Sequence, residues 1–199
     1  GLDREAERGY VEQQDVLDLA AEHAALDRGA ERDDLWLSGS DFITPESLYV
    51  LALDDDAPPS LIRQAPARFD ATDIIIEQHF AASADGTRIP YFIVGSESAL
   101  ATANGSNATL LTGYGGFEIP RMAGYSAVIG RSWISAGGVY ALANIRGGGE
   151  YGPAWHRAGL REKRPRVFED FEAVARAIIN RGITSPGRLG ISGGSNGGL

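Results

Sequence analysis

The sequence predicts an α/β fold, a mostly parallel sheet with helices on its faces. Three observations lead there. From Asp70 onward, short apolar runs alternate with stretches of helical spacing. Two of those runs end in glycine clusters. Residues 167–181 carry a continuous apolar stripe: Val167, Phe168, Phe171, Val174, Ala175, Ile178 and Ile179 fall on one helical face. Strands that alternate with helices connect by right-handed crossovers. Their C-terminal ends then gather at one edge of the sheet, where functional groups collect.

In chain order, residues 1–33 are polar and charged, with a weak helical signal over 16–26. Residues 35–38 and 48–53 read as strands joined through Thr44-Pro45. The carboxylates Asp54, Asp55 and Asp56, followed by Pro58-Pro59, mark a break. A solvated turn accounts for them better than a cation site. Residues 74–83 and 87–94 are β-rich runs around Asp85-Gly86, a hairpin signal. Residues 108–112 and 139–144 are buried strands, with helical spacing over 125–136 between them. Gly182 stops the helix over 167–181, and residues 188–192 form the last strand. Two crossovers, each with helical spacing, imply that 108–112, 139–144 and 188–192 run parallel.

Composition narrows the function. The net charge of −9 argues against nucleic acid or an anionic membrane surface as partner. No run approaches the roughly 18 apolar residues of a membrane span. Cysteine is absent, so disulfides, zinc-thiolate sites and thiol nucleophiles are excluded. This fits a reducing compartment and favours the cytoplasm, with the periplasm still open. No metal or cofactor is expected. The first ten residues have no apolar core of a signal peptide. The chain begins with Gly1 rather than Met, so a longer parent with its own leader stays open.

The chemistry centres on Gly193-Gly194-Ser195-Asn196-Gly197, a G-x-S-x-G sequence directly after a predicted strand, with Gly197-Gly198-Leu199 placed to open a helix. In an α/β-hydrolase elbow the serine sits on a strained strand-to-helix turn that lifts its hydroxyl above the sheet. The neighbouring backbone passes too closely for flanking side chains. Ser195 is therefore the expected nucleophile, and the backbone N–H of Asn196 an expected oxyanion donor. Gly147, Gly149 and Gly152 imitate a dinucleotide-binding G-x-G-x-x-G, with Asp170 beyond. Pro153 follows at once, residues 154–166 are polar and broken by Pro165, and Asp170 falls inside a helix instead of at a strand end. The run is therefore read as a structured loop on the active-site side. His23, His79 and His156 all precede Ser195, whereas the partners in this architecture follow the serine. They are read as surface or packing residues, His79 in a strand and His156 in a loop.

Several segments together resemble the prolyl oligopeptidase family. They are residues 84–94, Gly113-Tyr114-Gly115-Gly116-Phe117, residues 143–152 with Trp155-His156, Thr184-Ser185-Pro186, and residues 193–198. The match runs nearly unbroken from about Asp70 to Leu199. Before Asp70 it thins to Phe42-Ile43-Thr44-Pro45 with Leu48-Tyr49, similar to the closing strands of a β-propeller. The resemblance implies a propeller remnant over 1–69 and the first part of an α/β-hydrolase catalytic domain over 70–199. It implies a strand order in which 108–112 lies between 139–144 and 188–192, and a serine oligopeptidase cutting short peptides after proline. It also implies that the Tyr114 hydroxyl is the second oxyanion donor, with the catalytic acid and base lying after the elbow. The chain itself, lacking them, is expected to be inactive. An esterase using the same elbow, or a non-catalytic binding module on a hydrolase scaffold, are the alternatives. Oligomeric state is left open.

Overall fold

The computed structural model describes residues 34–53 and 58–199. The helix read over 16–26, His23 and the carboxylates at 54–56 lie outside them. The described chain divides into two compact units. One runs through Ala67 and includes Ala123–Tyr125. The other comprises Arg68–Met122 and Ser126–Leu199.

The first unit is an antiparallel meander of β1 (Asp34–Gly39), β2 (Ser47–Ala52) and β3 (Ser60–Gln64). In β1 the two-residue period is plain: Leu35 and Leu37 are buried while Trp36 and Ser38 face out. The turn before β2 is tied by Asp41, whose Oδ1 accepts from the N–H groups of Ile43 and Thr44. No strand was expected at β3. Its five residues are all exposed, so the sequence has no buried face to display there.

The second unit holds a five-stranded sheet in the order β4-β5-β7-β6-β8. Strands β4 (Ile74–Ala82) and β5 (Arg88–Ser96) form the expected hairpin, in register from Ile74 opposite Ser96 to Ala82 opposite Arg88. Strand β6 (Thr109–Gly113) lies between β7 (Val139–Ala143) and β8 (Leu189–Ser192), parallel to both. Strand β5 pairs antiparallel with β7, so the described sheet is mixed, with its parallel half at β7-β6-β8. A periodicity reading sees each strand alone and has no access to which neighbour it meets.

Four α-helices connect these strands: α1 (Glu97–Ala101), α2 (Ala127–Ser132), α3 (Gly152–Arg157) and α4 (Pro165–Asn180). The short α1, capped by Ser96, lacked enough turns to show a period. Helix α2 continues as a 3-10 turn, Ile134–Ala136, inside the expected 125–136 segment. Helix α3 corrects the reading of 154–166 as a loop and places His156 on a helix. Pro153 sits in its first turn, where a missing N–H costs nothing.

The main crossover, α4, packs Val167, Val174 and Ile178 into a core with Ile89, Tyr91, Ile93, Leu111, Val139 and Ala141. Its buried stripe differs from the expected one at two positions. Phe168 is exposed beneath the Arg164 guanidinium, and Asp170 takes a fully buried place. The helix ends at a Schellman motif: the Ile183 N–H donates to Ile178 O and the Gly182 N–H to Ile179 O. The chain leaves β6 for its neighbour β7, then returns past β6 to β8. The ends of these three parallel strands open at a topological switch point.

Candidate active site

Three loops meet at those strand ends: residues 114–118 after β6, 144–151 after β7, and 193–195 after β8. Ser195 follows Gly194, whose backbone is extended, and has φ +54°, a left-handed conformation that L-residues adopt only under constraint. A 3-10 turn, Ser195–Gly198, continues from it, and the Ser195 residue is exposed. The constraint is visible in the neighbouring glycines. A Cβ on Gly193 would collide with Gly197 O, and a Cβ on Gly197 would stand 2.5 Å from Gly113 O at the end of β6. Close passage of the β6 and β8 backbones thus holds the turn from both sides.

Asn196 and Tyr114 come together across the two strand ends. The Asn196 side chain donates through Nδ2 to Tyr114 O at 2.6 Å. Its Oδ1 accepts from Nη2 of Arg164 at 3.1 Å, and Nη1 of the same guanidinium donates to Gly115 O at 2.8 Å. These partners fix the orientation of the amide, since Tyr114 O can only accept and the guanidinium can only donate. Gly116 lets this amide in: a Cβ there would overlap the Asn196 side chain. Tyr114 and Asn196 are both half-buried.

Two histidines fall among the described residues, and neither is placed beside Ser195 by the contacts it makes. His79 is on β4, four strand spacings from β8, or about 19 Å. Its Nε2 lies 2.6 Å from Glu77 Oε2. His156 Nδ1 lies 2.7 Å from Gly147 O and 3.0 Å from the N–H of Glu118, bracing the two loops against each other. Which of these is the hydrogen bond depends on the tautomer.

A buried ion-pair hub is built around Arg146 of the loop after β7. Arg146 is 2% exposed and Asp170 on α4 is 0% exposed. The guanidinium meets Asp170 through Nε at 2.8 Å and Nη2 at 2.6 Å, and Asp85 in the β4–β5 turn through Nη1 at 2.6 Å. Ser83 adds a hydroxyl to Asp170. The hydrogen bond from Arg146 holds the Asp85 carboxyl well below the usual carboxylate range. Burial disfavours the charge on Arg146, but the bonds to Asp170 and Asp85 outweigh it and leave its pKa raised. Nearby, burial pushes the Glu150 carboxyl upward, against the bonds it accepts from the Arg121 N–H and Asn144.

Sequence alone offers Asp170 only as a mimic of a ribose ligand and gives Arg164 no role. Their partners lie far along the chain, 24 residues away for Asp170–Arg146, and 32 and 49 for Arg164. No local spacing records such pairs.

Residues 127–199 match the model of the prolyl oligopeptidase family. A model for NAD-specific glutamate dehydrogenase matches residues 1–52, mostly outside the described residues and wholly outside the five-stranded sheet. An uncharacterized peptidase of Sinorhizobium fredii is 48% identical over 85% of this chain and 23% of its own length. The prolyl endopeptidase of Elizabethkingia miricola is 39% identical over 83% of this chain and 23% of its own. A solved structure of a post-proline cleaving enzyme from Rickettsia typhi superposes with a TM-score of 0.75 at 40% identity, over 84% of this chain and 24% of that one. The chain therefore spans about a quarter of the length of the relatives it matches. Its fold is the α/β-hydrolase type, preceded by β strands like those that close a β-propeller. By these matches, and by the glycine-framed serine turn that its strands hold, the chain belongs to the prolyl oligopeptidase family.

Proposed function

We propose that the protein carrying this chain is a serine peptidase that cleaves short peptides after proline through an acyl-enzyme on Ser195. The observation that supports it most is the Ser195 backbone: φ +54°, exposed, on a turn framed by glycines at the C-terminal end of a parallel strand. Such a turn stores strain that a packing or binding role does not need.

In this mechanism Ser195 Oγ attacks the scissile carbonyl while a histidine takes its proton. The carbonyl oxygen, now negative, accepts from the Asn196 N–H and the Tyr114 hydroxyl. Collapse expels the amine, protonated by the same histidine, and water then releases the acid. The histidine and its orienting acid follow the elbow in the parent protein, as the resemblance implies. Proline specificity rests on relatives named prolyl endopeptidase and post-proline cleaving enzyme.

The test uses the full-length protein and a pair of chromogenic peptides, one with proline before the scissile bond and one with alanine. The proline peptide is expected to be preferred, and Ser195→Ala to lower kcat by about a millionfold. Hydrolysis of simple esters with neither peptide cut would favour an esterase. Turnover that survives Ser195→Ala would remove Ser195 from the chemistry.

A further inference from the structure

We infer that Arg164 is a positioning residue for the oxyanion hole, acting through the Asn196 side chain. The inference rests on the peptidase reading above and adds to it a residue that touches neither substrate nor nucleophile.

The two proposed donors come from different strands. Asn196 lies in the elbow after β8, and Tyr114 in the loop after β6. An oxyanion hole works only if both donors hold their places before charge develops, about 2.7–3.1 Å from one point. Backbone ladder bonds do not extend that far, since the β6–β8 pairing ends at Thr112 opposite Ser192. Beyond it, the Asn196 amide links the two loops, with Nδ2 donating to Tyr114 O.

An amide on a single hydrogen bond can rotate about its side-chain torsions. Arg164 removes that freedom by engaging the other end, Oδ1, while its second nitrogen holds Gly115 O, one residue beyond Tyr114. The guanidinium is planar and presents its donors in a fixed fork, so the two acceptors are held at a set separation. Elbow, Tyr114 loop and the start of α4 are thereby closed into one ring: Arg164 to Asn196, Asn196 to Tyr114, Gly115 to Arg164. Arg164 itself is anchored as the residue immediately before Pro165 of α4, with its guanidinium over the Phe168 ring. This also accounts for an aromatic residue exposed at 168 where the helical stripe called for burial.

A lysine cannot replace this fork. Its single ammonium reaches one acceptor at a time or both with poor geometry. The effect expected is on kcat, because the donors are needed in the transition state more than in the bound substrate.

The experiment takes the full-length protein, with Arg164→Met and Arg164→Lys made in both the Tyr114 and the Tyr114→Phe backgrounds, and measures kcat, KM and thermal unfolding on a proline peptide. Arg164→Met is expected to lower kcat by about 10- to 100-fold with KM within about twofold, and Arg164→Lys by an intermediate factor. In the Tyr114→Phe background, where one positioned donor is already gone, the loss from Arg164→Met is expected to shrink severalfold. A fully additive loss, a rise in KM at constant kcat, or a folded Arg164→Met with wild-type kcat would each overturn the inference. If Arg164→Met does not fold, Arg164→Lys decides, and wild-type kcat in that variant overturns it. Absence of any Ser195-dependent turnover in the parent would overturn the peptidase reading as well, which separates the two failures.

Discussion

Ser195 was legible because everything that defines it is local: two glycines before it, two after, a strand in front. The backbone angle of +54° and the crowding of Gly193 and Gly197 are the physical content of that short motif. Tyr114 was not legible in the same way. Without the family resemblance it is one loop aromatic among several, and what the structure adds is that its carbonyl is tied to Asn196. If its hydroxyl donates to the oxyanion, Tyr114→Phe in the full-length protein is expected to lower kcat by about 10²–10³ with little change in KM. Steady-state kinetics on a proline peptide measure this. A larger effect on KM than on kcat would assign Tyr114 to substrate binding instead. Arg164 was beyond reach of sequence reasoning altogether. Arginine is common in a polar segment, and nothing in residues 154–166 announces acceptors on two other loops.

At the scale of elements, the strands and the long helix followed from hydrophobic period, and the error in α4 is instructive. Periodicity assigned Phe168 to the buried face because it scores residues by polarity. Asp170 occupies that face because Arg146, arriving from the loop after β7, neutralises it there. The Arg146 hub joins three elements: the β4–β5 turn through Asp85, the loop after β7, and α4 through Asp170. Removing Asp170 leaves the buried Arg146 charge with only the partly exposed Asp85 to offset it, so Asp170→Asn is expected to destabilise by about 3–5 kcal/mol. Replacing both, Arg146→Met with Asp170→Leu, should cost much less, and urea unfolding of the full-length protein distinguishes the two. Asp85 gives the hub an acid sensitivity. Its folded pKa lies below the unfolded value of about 3.9, so the stability it contributes is complete above that pH. The contribution is lost as pH falls from there toward the folded value. Asp85→Asn should therefore destabilise at pH 7 and narrow the gap to wild type as pH drops below about 4. A gap that stays constant down to pH 2.5 would contradict the assignment.

At the scale of the whole molecule, the parallel run of β7, β6 and β8 followed from two crossovers and their order from the family resemblance, while the antiparallel β5–β7 seam followed from neither. Strand β8 is also the least covered. Among the described residues it pairs only with β6, its Gly190, Ile191 and Ser192 are exposed, and Ile191 and Leu199 keep 70% and 87% of their surface. An open strand edge beside exposed apolar side chains is a template for pairing with another chain. The net charge of −9 opposes self-association through long-range repulsion, which 0.15 M salt screens beyond about 8 Å. Edge pairing acts at shorter range, so association is expected to win. A polypeptide of these 199 residues expressed alone should form oligomers or aggregates by light scattering at physiological salt, and fewer of them at low salt. It should also be inert. Serine needs a base to take its proton, and the described histidines are engaged elsewhere, His79 with Glu77 on β4 and His156 with the loops at Gly147 and Glu118. A serine-directed phosphonate offered to this polypeptide is expected to leave it unlabelled, while the full-length protein is labelled at Ser195. Labelling of the 199-residue polypeptide that disappears in Ser195→Ala would show that a base within it completes the site, and His156→Ala would be the first variant to examine.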